Sequence, residues 1–329
     1  MKYTRLGNTG LSVSRICLGT MTFGNQCDET TSRSILDSAL EQGVSFIDTA
    51  DVYPAHQVEW FGETERIIGR WLDGKRDDVV LATKFWAPTG PAPWQRGGSR
   101  RHIMDAVEAS LERLQTDFID LYQIHFPDSS TPQDETLQAL DDLVSSGKVH
   151  YIGCSNFPAW MLARSLGRSE VLGVARYDSV QPRYNLLFRA LERDLFELCM
   201  ADDIAVIPYN PLAGGLLTGK HQRAEPDAGS RFTIEGGQGD RYLERYWHDQ
   251  MHDAVDAIKP LAEQAGISMA QLAVAWVLAN PAVTSPIVGA TRPEQLDDAV
   301  AAVDQEIDPD LKQKLDELTD HFRLSDADR

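Results

Sequence analysis

Eight short apolar runs, each followed by a stretch of helical periodicity, constrain this chain more than any other feature. Arg15 to Leu18, Ser45 to Ile47, Val79 to Thr83, Phe118 to Ile124, Val149 to Ser155, Ser179 to Gln181, Ala205 to Tyr209 and Thr284 to Val288 read as strands. The stretches between them read as helices. The first runs from about Thr30 to Gln42 and is closed by Gly43. The second carries the stripe Ile67, Ile68, Trp71 and Leu72, and the third Ile103, Val107, Leu111 and Leu114. Leu137, Leu140, Leu143 and Val144 mark the fourth, a short helix follows Pro158, and Leu195 to Cys199 lies in the sixth. Trp247 to Gln264 and Ser268 to Leu278 are helical, Leu296, Val300 and Val303 line the next, and Leu311 to Leu318 forms an outer one. Strand–helix alternation of this kind predicts a parallel sheet closed into a (β/α)8 TIM barrel. No GxGxxG follows the first strand, which argues against an open doubly wound sheet. Tyr3 to Leu6 and Leu11 to Val13 flank a Gly7–Gly10 turn and predict an N-terminal β-hairpin under the barrel.

The 329 residues fit one barrel domain over 1–329. Two connections, Phe85 to Gly98 and Asn210 to about Tyr246, are too long to be turns. Both follow strands, so both are expected on the C-terminal face, where barrel active sites form.

Charge and cysteine usage narrow the function. The 31 Lys and Arg against 50 Asp and Glu give a net charge of −19, which disfavours nucleic acid or an anionic membrane as partner. An anionic ligand must then be held by local donors. Cys17, Cys27, Cys154 and Cys199 make no CxxC, zinc or disulfide pattern, and the N-terminal residues carry no apolar signal core. No window reaches transmembrane length, and a reducing, cytoplasmic setting is expected. His56, His102, His150, His221, His248, His252 and His321 lack metal-ligand spacing, and no metal site is expected.

Three strands stop at ionisable residues, Asp48, Lys84 and His125, and Tyr53 follows Asp48 by five positions in a loop. These residue types suit reduction of a carbonyl by hydride. A proton donor is needed at the oxygen, and a phenol's ordinary pKa of about 10 is high for that work. A neighbouring ammonium favours the phenolate, and a buried ammonium requires its own counter-ion. Tyr53, Lys84 and Asp48 can fill those three roles, and a neutral His125 can orient the carbonyl. Each residue also has a bland reading as a strand-end charge, cap or surface aromatic. Ser155 and Asn156 could cap the helix after Pro158, Gln181 could be a satisfied core amide, and Tyr209 could simply pack.

The ordered set Leu18-Gly19-Thr20-Met21-Thr22-Phe23-Gly24, Phe46 to Tyr53, Ala82-Thr83-Lys84, Gln123-Ile124-His125, Ile152 to Phe157, Gln181 to Asn185, Tyr209 to Lys220 and Gly289-Ala290-Thr291 resembles the aldo-keto reductase superfamily. It is most similar to the bacterial branch that includes the potassium-channel β-subunits and sugar ketoreductases. The resemblance covers nearly the whole chain and implies an NADP(H)-dependent carbonyl reductase with the tetrad Asp48, Tyr53, Lys84 and His125. It implies that Ser155, Asn156 and Gln181 hold the nicotinamide carboxamide and that Tyr209 stacks on the ring. Leu212, Gly214, Leu217, Gly219 and Lys220 would lie along the pyrophosphate, and Asn210 and Pro211 belong to the same cofactor set. Gly289, Thr291, Arg292, Gln295 and Asp298 would meet the adenosine end. Gly19, Thr20, Met21 and Asp48 join the cofactor set, and Trp86 and Trp60 join Tyr53 and His125 around the substrate.

Separately from the resemblance, Thr291-Arg292-Pro293-Glu294 reads as a capping box at a helix start, where Arg292 would suit a 2′-phosphate. Gly214 to Lys220 nearly fits a Walker A loop, but His221 stands where the magnesium-binding hydroxyl belongs. The stretch Pro54 to Glu65 is longer than in many relatives and would bring His56, Glu59 and Trp60 to the site mouth. The expected partner is a small-molecule carbonyl, with homo-oligomerisation left open. An NADPH-binding sensor resembling a channel β-subunit stands as the alternative, ahead of a metal-dependent barrel hydrolase.

Overall fold

The computed structural model describes residues 1–54, 58–235 and 237–324. A two-stranded antiparallel hairpin, β1 (Tyr3–Arg5) and β2 (Ser12–Ser14), precedes eight parallel strands. These are β3 (Cys17–Gly19), β4 (Phe46–Asp48), β5 (Val80–Phe85), β6 (Ile119–Ile124), β7 (Val149–Ser155), β8 (Ser179–Gln181), β9 (Ala205–Val206) and β10 (Ile287–Gly289). Their order in the sheet is β10-β3-β4-β5-β6-β7-β8-β9. Parallel bridges Val206–Val283 and Tyr209–Ile287 join the two ends and close the barrel.

One or more helices follow each core strand. They are α1 (Glu29–Glu41), α2 (Glu63–Trp71), α3 (Arg100–Leu114), α4 (Gln133–Ser145), α5 (Ala159–Leu172), α6 (Leu195–Ala201), α7 (Gln238–Tyr246), α8 (Asp249–Ala265), α9 (Met269–Leu278), α10 (Asp297–Ala302) and α11 (Pro309–Leu318). Their apolar faces and the outer faces of the strands make the larger core. The barrel interior is a second core of Cys17, Phe46, Ala82, Leu121, Ala205, Ile207 and Ile287, and Leu6 and Val13 of the hairpin region plug its lower end. Among the described residues no single helix is long and apolar enough to cross a membrane.

The (β/α)8 barrel and its hairpin follow the reading from sequence, with local differences. The helix after Pro158 is not short but 14 residues long. Strand seven is a continuous strand only over Ala205–Val206; the Ile207 and Tyr209 N–H groups still bond the Val180 and Pro182 carbonyls, but Pro182 has no N–H to return a bond. Strand eight is shifted to Ile287–Gly289. The Asn210–Tyr246 connection contains α7 and two 3-10 turns, Ala213–Thr218 and Arg231–Thr233. The capping box at Thr291 is absent. A four-residue 3-10 turn, Pro293–Leu296, starts there, and Gln295 Oε1 instead accepts from the Thr291 N–H at 2.7 Å and its hydroxyl at 3.1 Å. Glu294 turns outward toward Arg292.

Candidate active site

Period-two alternation places the site. On β4, β5 and β6 the inward residues Phe46, Ala82 and Leu121 belong to the barrel interior. Two residues further up, the same face presents Asp48, Lys84 and Gln123. Hydrophobic packing below therefore lifts a polar layer to the C-terminal mouth, with β4, β5 and β6 hydrogen-bonded in sequence. Lys84 lies one residue inside the end of its strand, not at the end. Gly19 occupies the neighbouring position on β3, where a Cβ would come within 2.6 Å of Ile287 Cγ2.

Lys84 is fully buried and Asp48 is 2% exposed. The ammonium donates to Asp48 Oδ1 at 2.5 Å and to the Thr49 carbonyl at 2.8 Å. It reaches the Tyr53 hydroxyl at 3.5 Å, the outer limit of a hydrogen bond. Asp48 Oδ2 accepts from the amides of Gln181 at 2.8 Å and Gln123 at 3.2 Å, so both oxygens of this buried carboxylate are satisfied. His125, directly after β6, stands edge-on to Tyr53 with ring centroids 5.9 Å apart. It stacks on Phe126, which in turn packs against Trp86. His125 Nδ1 and Trp86 Nε1 are buried with no hydrogen-bond partner.

Burial and charge set the protonation states. Burial raises the Tyr53 pKa, and the Lys84 charge, the largest opposing influence, does not overcome it. The sequence-based expectation of a net lowering is corrected here, because desolvation of the phenolate outweighs one ammonium at 3.5 Å. Tyr53 thus stands as a neutral proton donor. Burial works against the Lys84 charge, but Asp48 and Tyr53 together raise its pKa above the ordinary lysine value. Burial, aided by Lys84 and Arg241, pushes His125 well below the usual imidazole range, so the ring is neutral near pH 7.

The remaining candidates occupy the same face. Ser155 Oγ donates to the Gln181 carbonyl at 2.8 Å. Asn156, with φ of 61°, donates to the His125 carbonyl at 2.9 Å and accepts from the Tyr209 hydroxyl at 2.8 Å. Neither side chain caps α5, whose N-cap is Pro158. Burial pushes the Tyr209 phenol up to about 12. Thr20 Oγ1 donates to the Asp48 carbonyl at 2.9 Å, fixing β3 to β4 beside the half-buried Met21.

Beyond Tyr209 the chain turns through Gly214, Gly215 and Gly219, with φ of 71°, 107° and 69°. Tyr242 of α7 lies across Gly214, where a Cβ would fall 2.7 Å from its ring. Met269 covers Gly219 in the same way. Arg292 is two-thirds exposed and faces Glu294 at 3.8 Å. Trp60 lies in a 3-10 turn and is 42% exposed. His56 falls outside the described residues. No group of three or more His, Cys, Asp or Glu among the described residues could hold a metal.

Reasoning from sequence missed Arg231. Its guanidinium donates to the Tyr242 hydroxyl at 3.0 Å and lies 2.8 Å from where a Gly289 Cβ would stand. No carboxylate pairs with it among the described residues. It spans the gap between the Gly214 turn and the end of β10, and Gln26 ties the same excursion to the far rim through the Gly229 carbonyl at 3.0 Å. No sequence signal marks it, since it is one arginine in a polar stretch.

A row of contacting residues therefore runs from the polar layer through Tyr209, Tyr242 and Arg231 to Gly289. Its donor set suits a nicotinamide dinucleotide. It carries the orphaned donors Trp86 Nε1 and Asn210 Nδ2, glycines without room for a Cβ at 214, 219 and 289, and the Arg231 guanidinium, which no carboxylate pairs among the described residues.

Comparison with known proteins agrees. The family model described as "Aldo/keto reductase family" matches residues 15–320. The chain is 39% identical over 327 residues to a Bacillus subtilis protein described as an uncharacterized oxidoreductase, YrpG, covering 97% of this chain and 96% of that one. It is 37% identical over 310 residues to a probable voltage-gated potassium channel subunit beta of Arabidopsis thaliana, covering 92% of each. It is 36% identical over 346 residues to versiconal hemiacetal acetate reductase of Aspergillus parasiticus, covering 96% of each.

Proposed function

The chain belongs to the aldo/keto reductase family of oxidoreductases, and from that premise we propose that it reduces an aldehyde, ketone or keto-sugar with NADPH, using Tyr53 as general acid. The observation that carries this reading is the buried Lys84 ammonium, held between the Asp48 carboxylate and the Tyr53 hydroxyl at the mouth of a closed barrel. The family uses nicotinamide cofactors, and the dihydronicotinamide supplies the hydride.

In this reading the carbonyl oxygen is held between the Tyr53 hydroxyl and the His125 ring. As charge develops on that oxygen, the Tyr53 proton moves to it and the Lys84 ammonium stabilises the phenolate left behind. Asp48 keeps Lys84 charged in its dry setting. A neutral His125 donates a hydrogen bond without competing as an acid. Trp86 and Phe126 supply an apolar wall that keeps water from the reacting oxygen. Ser155, Asn156, Gln181 and Tyr209 would hold the nicotinamide end, the Gly214–Lys220 turn and Arg231 the pyrophosphate, and Gly289 to Asp298 the adenosine. The whole chain works as one barrel domain.

The likeness to a channel β-subunit supports a second reading, a cofactor-binding module with little turnover. A panel of aldehydes, ketones and keto-sugars, followed by NADPH absorbance, separates the two. Turnover with transfer of deuterium from C4-deuterated NADPH to the product supports reduction. Tight NADPH retention with no consumption on any carbonyl would overturn it.

A further inference from the structure

Behind the polar layer lies a second cluster, built on an ion pair with a fully buried carboxylate. Glu65, in the first turn of α2, has no exposed surface. Its Oε1 accepts from the Thr83 hydroxyl at 2.6 Å, and Thr83 is the residue before Lys84 on β5. Its Oε2 accepts from Arg113 Nε at 2.7 Å and from Ser110 Oγ at 3.3 Å, both on α3. Its neighbour Thr64 donates its N–H to the Tyr53 carbonyl at 3.2 Å and its hydroxyl to the Phe23 carbonyl at 2.8 Å.

The packing around this node leaves no slack. The Arg113 side chain passes over Gly62, where a Cβ would lie 2.5 Å from its Cδ. A Cβ on Gly69 would lie 2.2 Å from the Arg113 carbonyl oxygen. The absence of side chains at both positions lets α2 press against α3, so the guanidinium reaches the carboxylate. The Asp51 N–H donates to the Lys84 carbonyl at 3.1 Å, closing the circuit from the Tyr53 turn back to β5. An ion pair this dry contributes little net stability against apolar replacements, so its value lies in the geometry it imposes.

We propose that Glu65 is a positioning residue for the Tyr53–Lys84 pair, fixing the approach of hydroxyl to ammonium by locking the start of α2 onto β5 and α3. It touches neither substrate nor reacting atoms. The inference rests on the reading of Tyr53 and Lys84 as the reacting pair. Among the described residues its charged and titratable neighbours are Arg113, Asp51 and the unpartnered Tyr122 hydroxyl, and the Lys84 charge acts in turn on Asp51. Asp51 is buried with neither carboxylate oxygen bonded to another side chain, and it could take up a compensating charge if Glu65 lost its own.

The test therefore compares Asp51→Asn with Asp51→Asn/Glu65→Gln. Gln keeps an acceptor for Thr83 but leaves Arg113 without a counter-charge. Between the two variants kcat is expected to fall about tenfold or more, since reacting groups displaced by a fraction of an ångström lose much of their advantage. The carbonyl KM, and the NADPH Kd measured by quenching of protein fluorescence, stay within about twofold. Should the Gln variant not fold, Thr83→Val cuts the same link at one hydroxyl, with the same kcat loss at unchanged KM and Kd expected.

Wild-type kcat in a folded variant, or a loss confined to KM and Kd, would overturn the inference. Tyr53→Phe separates it from the underlying reading. Full turnover in Tyr53→Phe sinks that reading, whereas an inactive Tyr53→Phe beside unaffected Glu65 variants sinks only the role given to Glu65.

Discussion

Lys84→Met removes one charge from the driest part of the molecule and nearly preserves the side-chain volume. In the native protein the ammonium bonds Asp48 at 2.5 Å and the Thr49 carbonyl at 2.8 Å, with no exposed surface. Its loss leaves the Asp48 carboxylate 2% exposed and unpaired, and breaking one half of a buried ion pair costs about 3–5 kcal/mol. The Gln181 and Gln123 amides remain on Asp48 at 2.8 and 3.2 Å, and charged hydrogen bonds of this kind contribute about 1.5–3 kcal/mol each. They place the expected loss at the lower end, about 3 kcal/mol. Urea unfolding of the wild type, Lys84→Met and Asp48→Asn/Lys84→Met measures it. The double variant regains most of the stability, since no charge is then stranded, while both variants lose about 10²–10⁴-fold in kcat. A loss below about 1 kcal/mol in Lys84→Met would refute the reasoning, because Asp48 would then not depend on Lys84 for its counter-charge.

Three further outcomes follow from the same structure. Burial and the Glu65 charge raise the Asp51 pKa well above the usual carboxylate value. The folded state therefore holds a proton that the unfolded chain releases near pH 4, and stability falls as pH rises from there toward the folded pKa. Asp51→Asn abolishes that fall, so its melting temperature exceeds the wild type's at neutral pH and the gap narrows on acidification; a constant gap contradicts the assignment. Arg231 and Arg292, the two arginines proposed to meet the cofactor, separate by cofactor. Arg231→Met weakens NADPH and NADH alike by roughly tenfold, the scale of one charge-assisted contact, whereas Arg292→Ala weakens NADPH far more than NADH. Equal losses on Arg292→Ala, measured by fluorescence titration, would remove the 2′-phosphate from that residue. Finally, the lowered His125 pKa keeps the ring neutral well below pH 6.5. The kcat profile should show no acid limb near 6.5, and one that His125→Asn abolished would contradict a neutral histidine.

Much of this arrangement was legible in the chain because the signals were local. Apolar runs that stop at Asp48 and His125 mark the barrel rim, and Gly43 and Gly74 sit at positive φ just past helix ends as glycine punctuation suggests. Elements whose pattern is diluted were not legible. Only Leu162, Ser165 and Ser169 of α5 are buried, and exposed Trp160 and Val171 blur its stripe, so the helix looked short. The excursion holding α7 is too polar for periodicity to stand out, yet it carries Tyr242 against Gly214 and Arg231 against Gly289. The sign of the Tyr53 shift was out of reach because burial is a tertiary property, and it outweighs the ammonium that the sequence did suggest. Glu65 reads from sequence as one more acidic residue at a helix start, and only the fold shows three elements converging on it.

Single-turnover reduction by Tyr53→Phe, with NADPH binding measured on the same sample, tests the role of the phenol most directly. The variant should bind NADPH within about twofold of the wild type while its hydride-transfer step falls by about 10²–10⁴-fold. Hydride transfer at the wild-type rate would show that the proton reaching the carbonyl oxygen does not come from Tyr53.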